Sequence, residues 1–180
     1  MFLPGVKYLW HDLKTHISTQ AKTRMIDIEH RRDIDLSAQT VWEEMRHFDR
    51  VLKWIPRGDE SSLSTSGEGV GMIRDIELAT MGYVQHRLSA FDDEKRMFSY
   101  SLTGGKPLGM QDYEVVATVT VMDEDHCTIR WAGRMTADGS LDEAEIGRAL
   151  EMALGNMTTG IIAVLKGERP DHVQQLRVDY

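Results

Sequence analysis

The chain has 180 residues, of which 41% are hydrophobic, and this is enough to bury one sizeable core. Its formal net charge of -8 disfavours nucleic acid and anionic membrane surfaces as partners, because both would repel an acidic protein. A single cysteine, Cys127, excludes an intrachain disulfide and fits a reducing, cytoplasmic setting, where we expect it to be a small buried residue. No apolar run approaches the roughly 20 residues that a membrane-spanning helix needs, so we expect no integral membrane span.

Residues 1–24 are predicted to form an amphipathic helical extension. Their apolar side chains recur at helical spacing, at Leu3, Val6, Trp10, Leu13 and Ile17. The segment lacks the apolar core of a signal peptide, while its basic and hydroxyl-rich composition leaves an organelle transit peptide open. We favour a helix that docks on its own subunit or on a second copy, which also leaves a homodimer open.

A strand and two short helices are predicted to open the main domain. Residues 25–34 alternate apolar and charged side chains, which is typical of a strand with one buried face. Ser37 then caps a short helix, and 48–55 form a second one. His30 and Arg32 share the inward phase of the strand, where they would form a second cationic pair, but we favour a surface position because the strand is short.

Six further strands are predicted after residue 61. They are separated by turn sequences at 67–69, 80–82, 92–95, 104–107 and 123–125. Such even spacing predicts an antiparallel meander, in which the glycine-rich stretch at 67–71 is a hairpin and not a phosphate-binding loop. Ser140 with Glu143 predicts a capping box for a long final helix that ends near Lys166 and lies across the concave side of the sheet. The chain therefore divides into the extension, one domain at 25–168, and a polar tail at 169–180.

Alternation along these strands assigns one face to the interior, because a slip of one residue would expose a strand's whole apolar set. The inward positions are Met72, Arg74, Ile76, Leu78, Val84, His86, Leu88, Ala90, Phe98, Tyr100, Leu102, Tyr113, Val115, Ala117, Val119, Ile129, Trp131, Gly133 and Met135. We expect this face to line a cavity. Its aromatic side chains either stack on a ligand or belong to the core.

Several motifs occur together in one arrangement: Gly69-Val-Gly-Met-Ile-Arg74, His86-Arg-Leu88, the Asp92-Asp93 turn, Tyr100, Gly104-Gly105 through Tyr113, and Trp131. In these motifs the chain resembles the START-related helix-grip (SRPBCC) superfamily, of the polyketide cyclase/dehydrase and lipid-transport type, over roughly 26–166. The resemblance implies an α+β fold, with a seven-stranded curved antiparallel sheet wrapped around a long C-terminal helix. It also implies a cavity between them for hydrophobic molecules, in carriers, receptors or enzymes.

Plant abscisic-acid receptors are also similar to this chain between residues 74 and 113. The receptors' gate sequence is replaced here by Ala79-Thr-Met-Gly82, and their latch by Lys106-Pro-Leu-Gly109. These departures argue against a hormone-receptor role.

Arg74, His86 and Tyr113 are the candidate catalytic residues. Arg74 and His86 lie in an apolar phase, where an unpaired polar group costs several kcal/mol. Either Arg74 has an internal carboxylate partner, or it anchors an anionic group of a ligand. The resemblance places Glu where this chain has His86, and a neutral histidine can donate and accept, so proton transfer competes with a simple hydrogen bond. The Tyr113 hydroxyl needs a partner, and in a cavity a ligand can supply it.

We therefore predict that the protein binds a small hydrophobic or aromatic molecule, polyketide-like or lipid-like. The predicted contacts are Trp54, Ile76, Leu78, Val84, Phe98, Tyr100, Val115, Trp131 and Met157. The alternatives are a cyclase, dehydratase or lyase in which His86 moves a proton, and a protein that grips a partner through Trp10 and Leu13. We expect no cofactor and no metal, because nucleotide-binding motifs and histidine pairs at ligand spacing are both missing from the sequence.

Overall fold

Seven antiparallel strands form one curved sheet, as the sequence predicts. The strands are β1 (Ile26–Ile34), β2 (Ser62–Ser66), β3 (Ile73–Leu78), β4 (Gly82–Asp92), β5 (Met97–Gly104), β6 (Met110–Val121) and β7 (Cys127–Ala137). Their order in the sheet is β1-β7-β6-β5-β4-β3-β2, so β1 and β2 are its edges. The helices are α1 (Ala38–Met45) and α2 (Glu143–Leu165), with short 3₁₀ helices at Phe48–Lys53, Gly58–Glu60 and Pro107–Gly109. This arrangement is the predicted α+β helix-grip fold.

The structure is a computed structural model and describes residues 25–170. The predicted N-terminal helix at 1–24 and all but the first residues of the tail predicted at 169–180 lie outside the described range. Among the described residues, none of the helices has the length and apolarity that crossing a membrane requires.

The two predicted short helices after β1 both occur, and the second differs in type. Ser37 caps α1, since its side-chain oxygen accepts a hydrogen bond from the Thr40 amide at 3.2 Å. The helix predicted at 48–55 is a 3₁₀ helix at Phe48–Lys53. It is too short for an α-helix to gain from its cooperative hydrogen bonds, and packing holds it in place.

Helix α2 lies across the concave side of the sheet and packs on β1, β7 and α1. Its predicted cap is wrong, because Asp142 takes the place of Ser140 and accepts from the Glu145 amide at 3.0 Å. A carboxylate at this position also offsets the positive end of the helix dipole. The helix is tied to the sheet by Trp131, whose indole nitrogen donates to Thr158 Oγ1 at 2.9 Å.

The predicted set of inward-facing side chains differs from the structure near the end of β4. The pairing of β4 with β5 shifts between Leu88 and Ala90, which marks a β-bulge. Beyond the shift Phe91 pairs with Phe98 and packs against Trp42 at 5.7 Å between ring centroids. Phe91 therefore takes the inward place that alternation assigned to Ala90, since a bulge adds one residue and reverses the phase.

Glu44 is a buried carboxylate that connects α1 to the following 3₁₀ helix. It accepts from the Trp54 indole nitrogen at 2.9 Å and from Arg50 Nη1 at 3.0 Å. Replacing Glu44 by alanine leaves the fully buried indole N–H without its acceptor, so we expect a loss of about 2 kcal/mol in the free energy of unfolding. Glu44→Gln keeps an acceptor oxygen and should lose less. Urea denaturation measures both, and equal stability of Glu44→Ala and the parent would contradict the assignment.

Candidate functional site

A cavity of about 380 Å³ lies between the concave face of the sheet and α2. Strands β3, β4, β5 and β6 form one wall, and the middle of α2 forms the opposite wall. The lining residues are Val51, Ile55, Pro56, Arg57, Ser61, Arg74, Ile76, Leu78, Thr80, Met81, Val84, His86, Tyr100, Leu102, Pro107, Leu108, Met110, Tyr113, Ala149, Leu150, Ala153, Leu154, Asn156 and Met157. Most are apolar, as is typical of sites for small molecules.

The structure brings most of the sequence-predicted site residues together. The cavity wall contains Arg74, His86 and Tyr113, together with the predicted contacts Ile76, Leu78, Val84, Tyr100 and Met157. The other four, Trp54, Phe98, Val115 and Trp131, are buried in the core and do not line the cavity. Alternation finds inward residues, but it does not distinguish those that face the cavity from those that α1 and α2 cover.

The exposure of the side chains along β3 shows which end of the cavity opens to solvent. Arg74 and Ile76 are buried, Leu78 is partly exposed, and Met81 in the following turn is 47% exposed. We therefore call residues 79–81 and the neighbouring 3₁₀ turn at Pro107–Gly109 the mouth. We call the group of Arg74, His86, Tyr100 and Tyr113 the inner end.

Arg74 is 1% exposed and is held by neutral groups. Its Nη1 donates to the Phe48 carbonyl at 2.7 Å, while Nε and Nη2 share the Nδ1 atom of His86 at 3.3 and 3.2 Å. The guanidinium also lies 3.9 Å from the centre of the Phe48 ring and 4.9 Å from that of Tyr100. Burial lowers the pKa of Arg74 to about 10, so the side chain stays charged at neutral pH.

The internal carboxylate partner that the sequence left open for Arg74 is not found among residues 25–170. The ion pairs of this range all involve other side chains. A guanidinium has five N–H groups, and three of those on Arg74 have acceptors in the described residues. Two N–H groups of Arg74 therefore have no acceptor among the described residues, and its positive charge has no carboxylate in contact there.

His86 lies opposite Arg74 in the pairing of β3 with β4. Because its Nδ1 accepts from Arg74, the neutral ring carries its proton on Nε2. Burial, and then the nearby charge of Arg74, hold the pKa of His86 well below its usual value. The imidazole therefore stays neutral, donates through Nε2, and has no free lone pair.

Tyr100 and Tyr113 complete the inner end from β5 and β6. The His86 ring centroid lies 4.9 Å from that of Tyr100 and 6.4 Å from that of Tyr113, and the two tyrosine rings are 6.0 Å apart. Burial raises the pKa of both hydroxyls, that of Tyr113 well above its ordinary value. Both tyrosines are therefore protonated at neutral pH and can donate hydrogen bonds.

The second cationic pair predicted on β1 lies outside the cavity lining. Arg32 is exposed and donates to Thr159 Oγ1 of α2 at 2.9 Å, which agrees with the favoured surface interpretation. His30 is half-buried beside Gly155.

Cys127 is fully buried, as expected, and burial raises the pKa of its thiol to about 11. Across residues 25–170, the structure contains no cluster of three or more His, Cys, Asp or Glu side chains that could hold a metal ion.

Sequence reasoning missed the part of the lining that loops provide and, apart from Met157, the part that α2 provides. Ala149, Ala153 and Asn156 recur at helical spacing on α2, and these small side chains leave room for a ligand. That spacing is a signal that the sequence contains. Thr80 and Leu108 come from turns, which have no periodicity from which their direction could be predicted.

The neutral state of His86 predicts how stability depends on pH. The unfolded chain takes up a proton on this histidine below about pH 6.5, whereas the folded protein does not. The free energy of unfolding should therefore be highest above this pH and fall as the pH is lowered, by up to about 1.4 kcal/mol per pH unit for this group.

A comparison with His86→Gln isolates this contribution, because the other titrating groups are present in both proteins. Urea denaturation between pH 7 and 5 should give a shallower pH dependence for the variant. Parallel curves would show that His86 is protonated in the folded state as readily as in the unfolded state.

Fold and cavity together define a helix-grip protein with an internal, mostly apolar cavity. The chain belongs to the family described as polyketide cyclase / dehydrase and lipid transport, which it matches over residues 25–165. The resemblance to the START-related helix-grip superfamily is thereby confirmed. A search of curated proteins gave no match.

Solved structures with the same fold come from plants and bacteria. Norcoclaurine synthase from Thalictrum flavum, in complex with dopamine and hydroxybenzaldehyde, is 19% identical with a TM-score of 0.64, over 97% of this chain and 98% of that one. An uncharacterized protein from Bacillus thuringiensis is 17% identical with a TM-score of 0.66, over 78% of this chain and 99% of that one. The protein XoxI from Bacillus cereus is also 17% identical with a TM-score of 0.66, over 78% of this chain and 95% of that one. At these identities the likeness is one of fold.

Proposed function

We propose that this protein binds one small, mostly apolar molecule in the cavity, with an anionic or oxygen-rich group of that molecule at the inner end. The observation that carries the proposal is the fully buried charge of Arg74, which has no carboxylate partner in the described residues. A buried, uncompensated cation costs folding free energy. A ligand oxygen that accepts the two remaining N–H groups would compensate the charge, and the apolar wall would bind the rest of the molecule.

The cavity volume limits the size of this molecule. Sites for small molecules measure roughly 300–1,000 Å³, and at about 380 Å³ this cavity lies near the lower end of that range. This volume suits a one-ring or two-ring aromatic compound or a medium-chain acid. The norcoclaurine synthase structure contains dopamine and hydroxybenzaldehyde, both single-ring phenols, which supports an aromatic ligand for this fold.

The enzymatic alternative, with His86 moving a proton, has weaker support. A general base needs a free lone pair, and the lone pair of His86 accepts from Arg74. Binding therefore remains the first proposal. The alternative in which Trp10 and Leu13 grip a partner rests on residues outside the described range, and the homodimer and the cytoplasmic setting remain predictions.

Native mass spectrometry of the purified protein, followed by denaturing extraction, tests the proposal. A compound retained at about one per chain would support binding and identify its chemical class. A protein that is empty and also fails to bind small aromatic compounds added in solution would contradict it.

A substitution that fills the cavity should remove binding without damaging the core. Ala153 lines the cavity from α2 and is only partly buried, so a tryptophan there would occupy ligand volume. We expect Ala153→Trp to weaken binding at least about tenfold, since part of the buried apolar contact of the ligand is lost. Isothermal titration calorimetry with 4-nitrobenzoate measures the affinity of the variant and of the parent. Met152→Trp is the matched control, because Met152 is adjacent on α2, 42% exposed and outside the lining.

A further inference from the structure

The inner end of the cavity donates hydrogen bonds and has no group ready to accept a proton. Arg74 has two N–H groups available, and His86 presents Nε2–H because its other nitrogen is occupied. Tyr100 and Tyr113 add two hydroxyls that burial keeps protonated; because these hydroxyls also hydrogen-bond to each other, the pair has one O–H group to donate to a ligand. The side chains are close neighbours, since the Tyr100 ring centroid lies 4.9 Å from the guanidinium carbon and 4.9 Å from the His86 centroid.

No acidic residue lines the cavity among the described residues. The residues of α2 that line the cavity are apolar apart from Asn156. Asp49, on the 3₁₀ helix that packs over Arg74, is exposed and acts on the guanidinium from the solvent side. Arg57 is the other charged residue of the lining, and its guanidinium is paired with the carboxylate of Glu60, which leaves Arg74 as the source of positive potential. The field inside the cavity is therefore positive, and the low polarity of the walls strengthens it.

We propose that the inner end selects the ionised form of a weakly acidic hydroxyl compound, a phenol or an enol, over its neutral form. This inference rests on the proposed binding function and adds the protonation state of the ligand. On binding, the O–H bond of the ligand breaks, the electron pair stays on the oxygen beside Arg74, and the proton leaves to the solvent. A neutral phenol would donate a hydrogen bond to a site that offers mainly donors, which makes it the weaker ligand.

The experiment uses 4-nitrophenol, whose neutral and ionised forms absorb at different wavelengths, and nitrobenzene, which has the same ring and no hydroxyl. Calorimetry establishes whether each compound binds to the unmodified protein. Absorbance of bound 4-nitrophenol is then followed as a function of pH. A cation in contact shifts an ionisation by roughly 1–3 pH units, so we expect the midpoint of the bound compound at least about one unit below that of the free compound.

The outcomes separate this inference from the proposed function. Binding of both compounds with an unshifted midpoint would overturn the selection of the ionised form and leave the binding function standing. Failure of both compounds to bind would count against the binding function and, with it, against the inference.

Two variants test whether Arg74 causes the shift in the ionisation midpoint of bound 4-nitrophenol. Arg74→Leu should abolish the shift while nitrobenzene still binds. Arg87→Leu changes the next arginine on the same sheet, which is exposed on the opposite face, and should keep the shift. A shift that survives Arg74→Leu would overturn the assignment of the inner end.

Discussion

Replacing Arg74 by leucine should weaken the binding of a small aromatic anion by about 2 kcal/mol or more, which is roughly a thirtyfold loss of affinity. The variant removes the only charged side chain of the inner end and the two N–H groups that have no acceptor in the described residues. Leucine fills most of the buried space that the arginine stem occupies, since residue 74 is only 1% exposed. The loss should therefore come from the missing charge and hydrogen bonds more than from a hole in the core.

The measurement is calorimetric titration with 4-nitrobenzoate, which is ionised throughout the neutral range, beside nitrobenzene. Arg74→Leu should lose affinity for the anion and retain most of its affinity for the neutral compound. Arg87→Leu, on the outer face of β4, should behave like the parent with both. Equal affinity of Arg74→Leu and the parent for 4-nitrobenzoate would remove Arg74 from the site. Thermal unfolding establishes beforehand that the variants are folded.

The fold was predictable because each strand carries its own signal. In β6, Tyr113, Val115 and Val119 alternate with exposed or partly exposed side chains over a long stretch, and turn residues mark both ends. A strand with such a pattern has one register that buries its apolar face. The bulge in β4 was not predictable, because an extra residue in a strand leaves no mark when both Ala90 and Phe91 are apolar.

The site was predictable in part. Arg74 and His86 stand out because they are polar residues in an apolar phase, and the pairing of β3 with β4 places them side by side. Trp131 and Phe98 have the same inward phase but lie in the core, where Trp131 bonds to Thr158 of α2. Which inward residues face the cavity depends on where α1 and α2 cover the sheet. That packing depends on contacts distant in sequence, which periodicity does not contain.

One such distant contact supports the inner end indirectly. The carbonyl of Phe48 accepts from Arg74, so the position of the 3₁₀ helix at Phe48–Lys53 decides how the guanidinium is held. Trp54, directly after that helix, has its backbone against α2 at Gly160, where the absence of a side chain permits the approach. The glycine in the middle of a long helix thus has a packing reason, although it costs about 1 kcal/mol of helix propensity relative to alanine.

Gly160→Ala should consequently destabilise the protein by about 2–3 kcal/mol, despite the better helix propensity of alanine. A Cβ atom at this position would overlap the carbonyl oxygen of Trp54 and lie 2.5 Å from its carbonyl carbon, and backbone atoms cannot turn aside as a flexible side chain can. The strain should separate α2 from the 3₁₀ helix and move the Phe48 carbonyl away from Arg74. We expect urea denaturation to show the loss of stability, and calorimetry to show weaker binding of 4-nitrobenzoate.

Gly147→Ala is the matched control on the same helix. A Cβ atom at Gly147 would lie 3.6 Å from Ile26 Cγ2 and 3.8 Å from Ile28 Cγ2, which are ordinary contacts. This variant should be as stable as the parent or more stable by up to about 1 kcal/mol, because alanine is the better helix former. If Gly160→Ala proved equally harmless, the backbone of Trp54 would have to move away from α2 at little cost in free energy. The support of Arg74 through Phe48 would then be looser than the geometry indicates, and binding would depend on the charge of Arg74 more than on its fixed position.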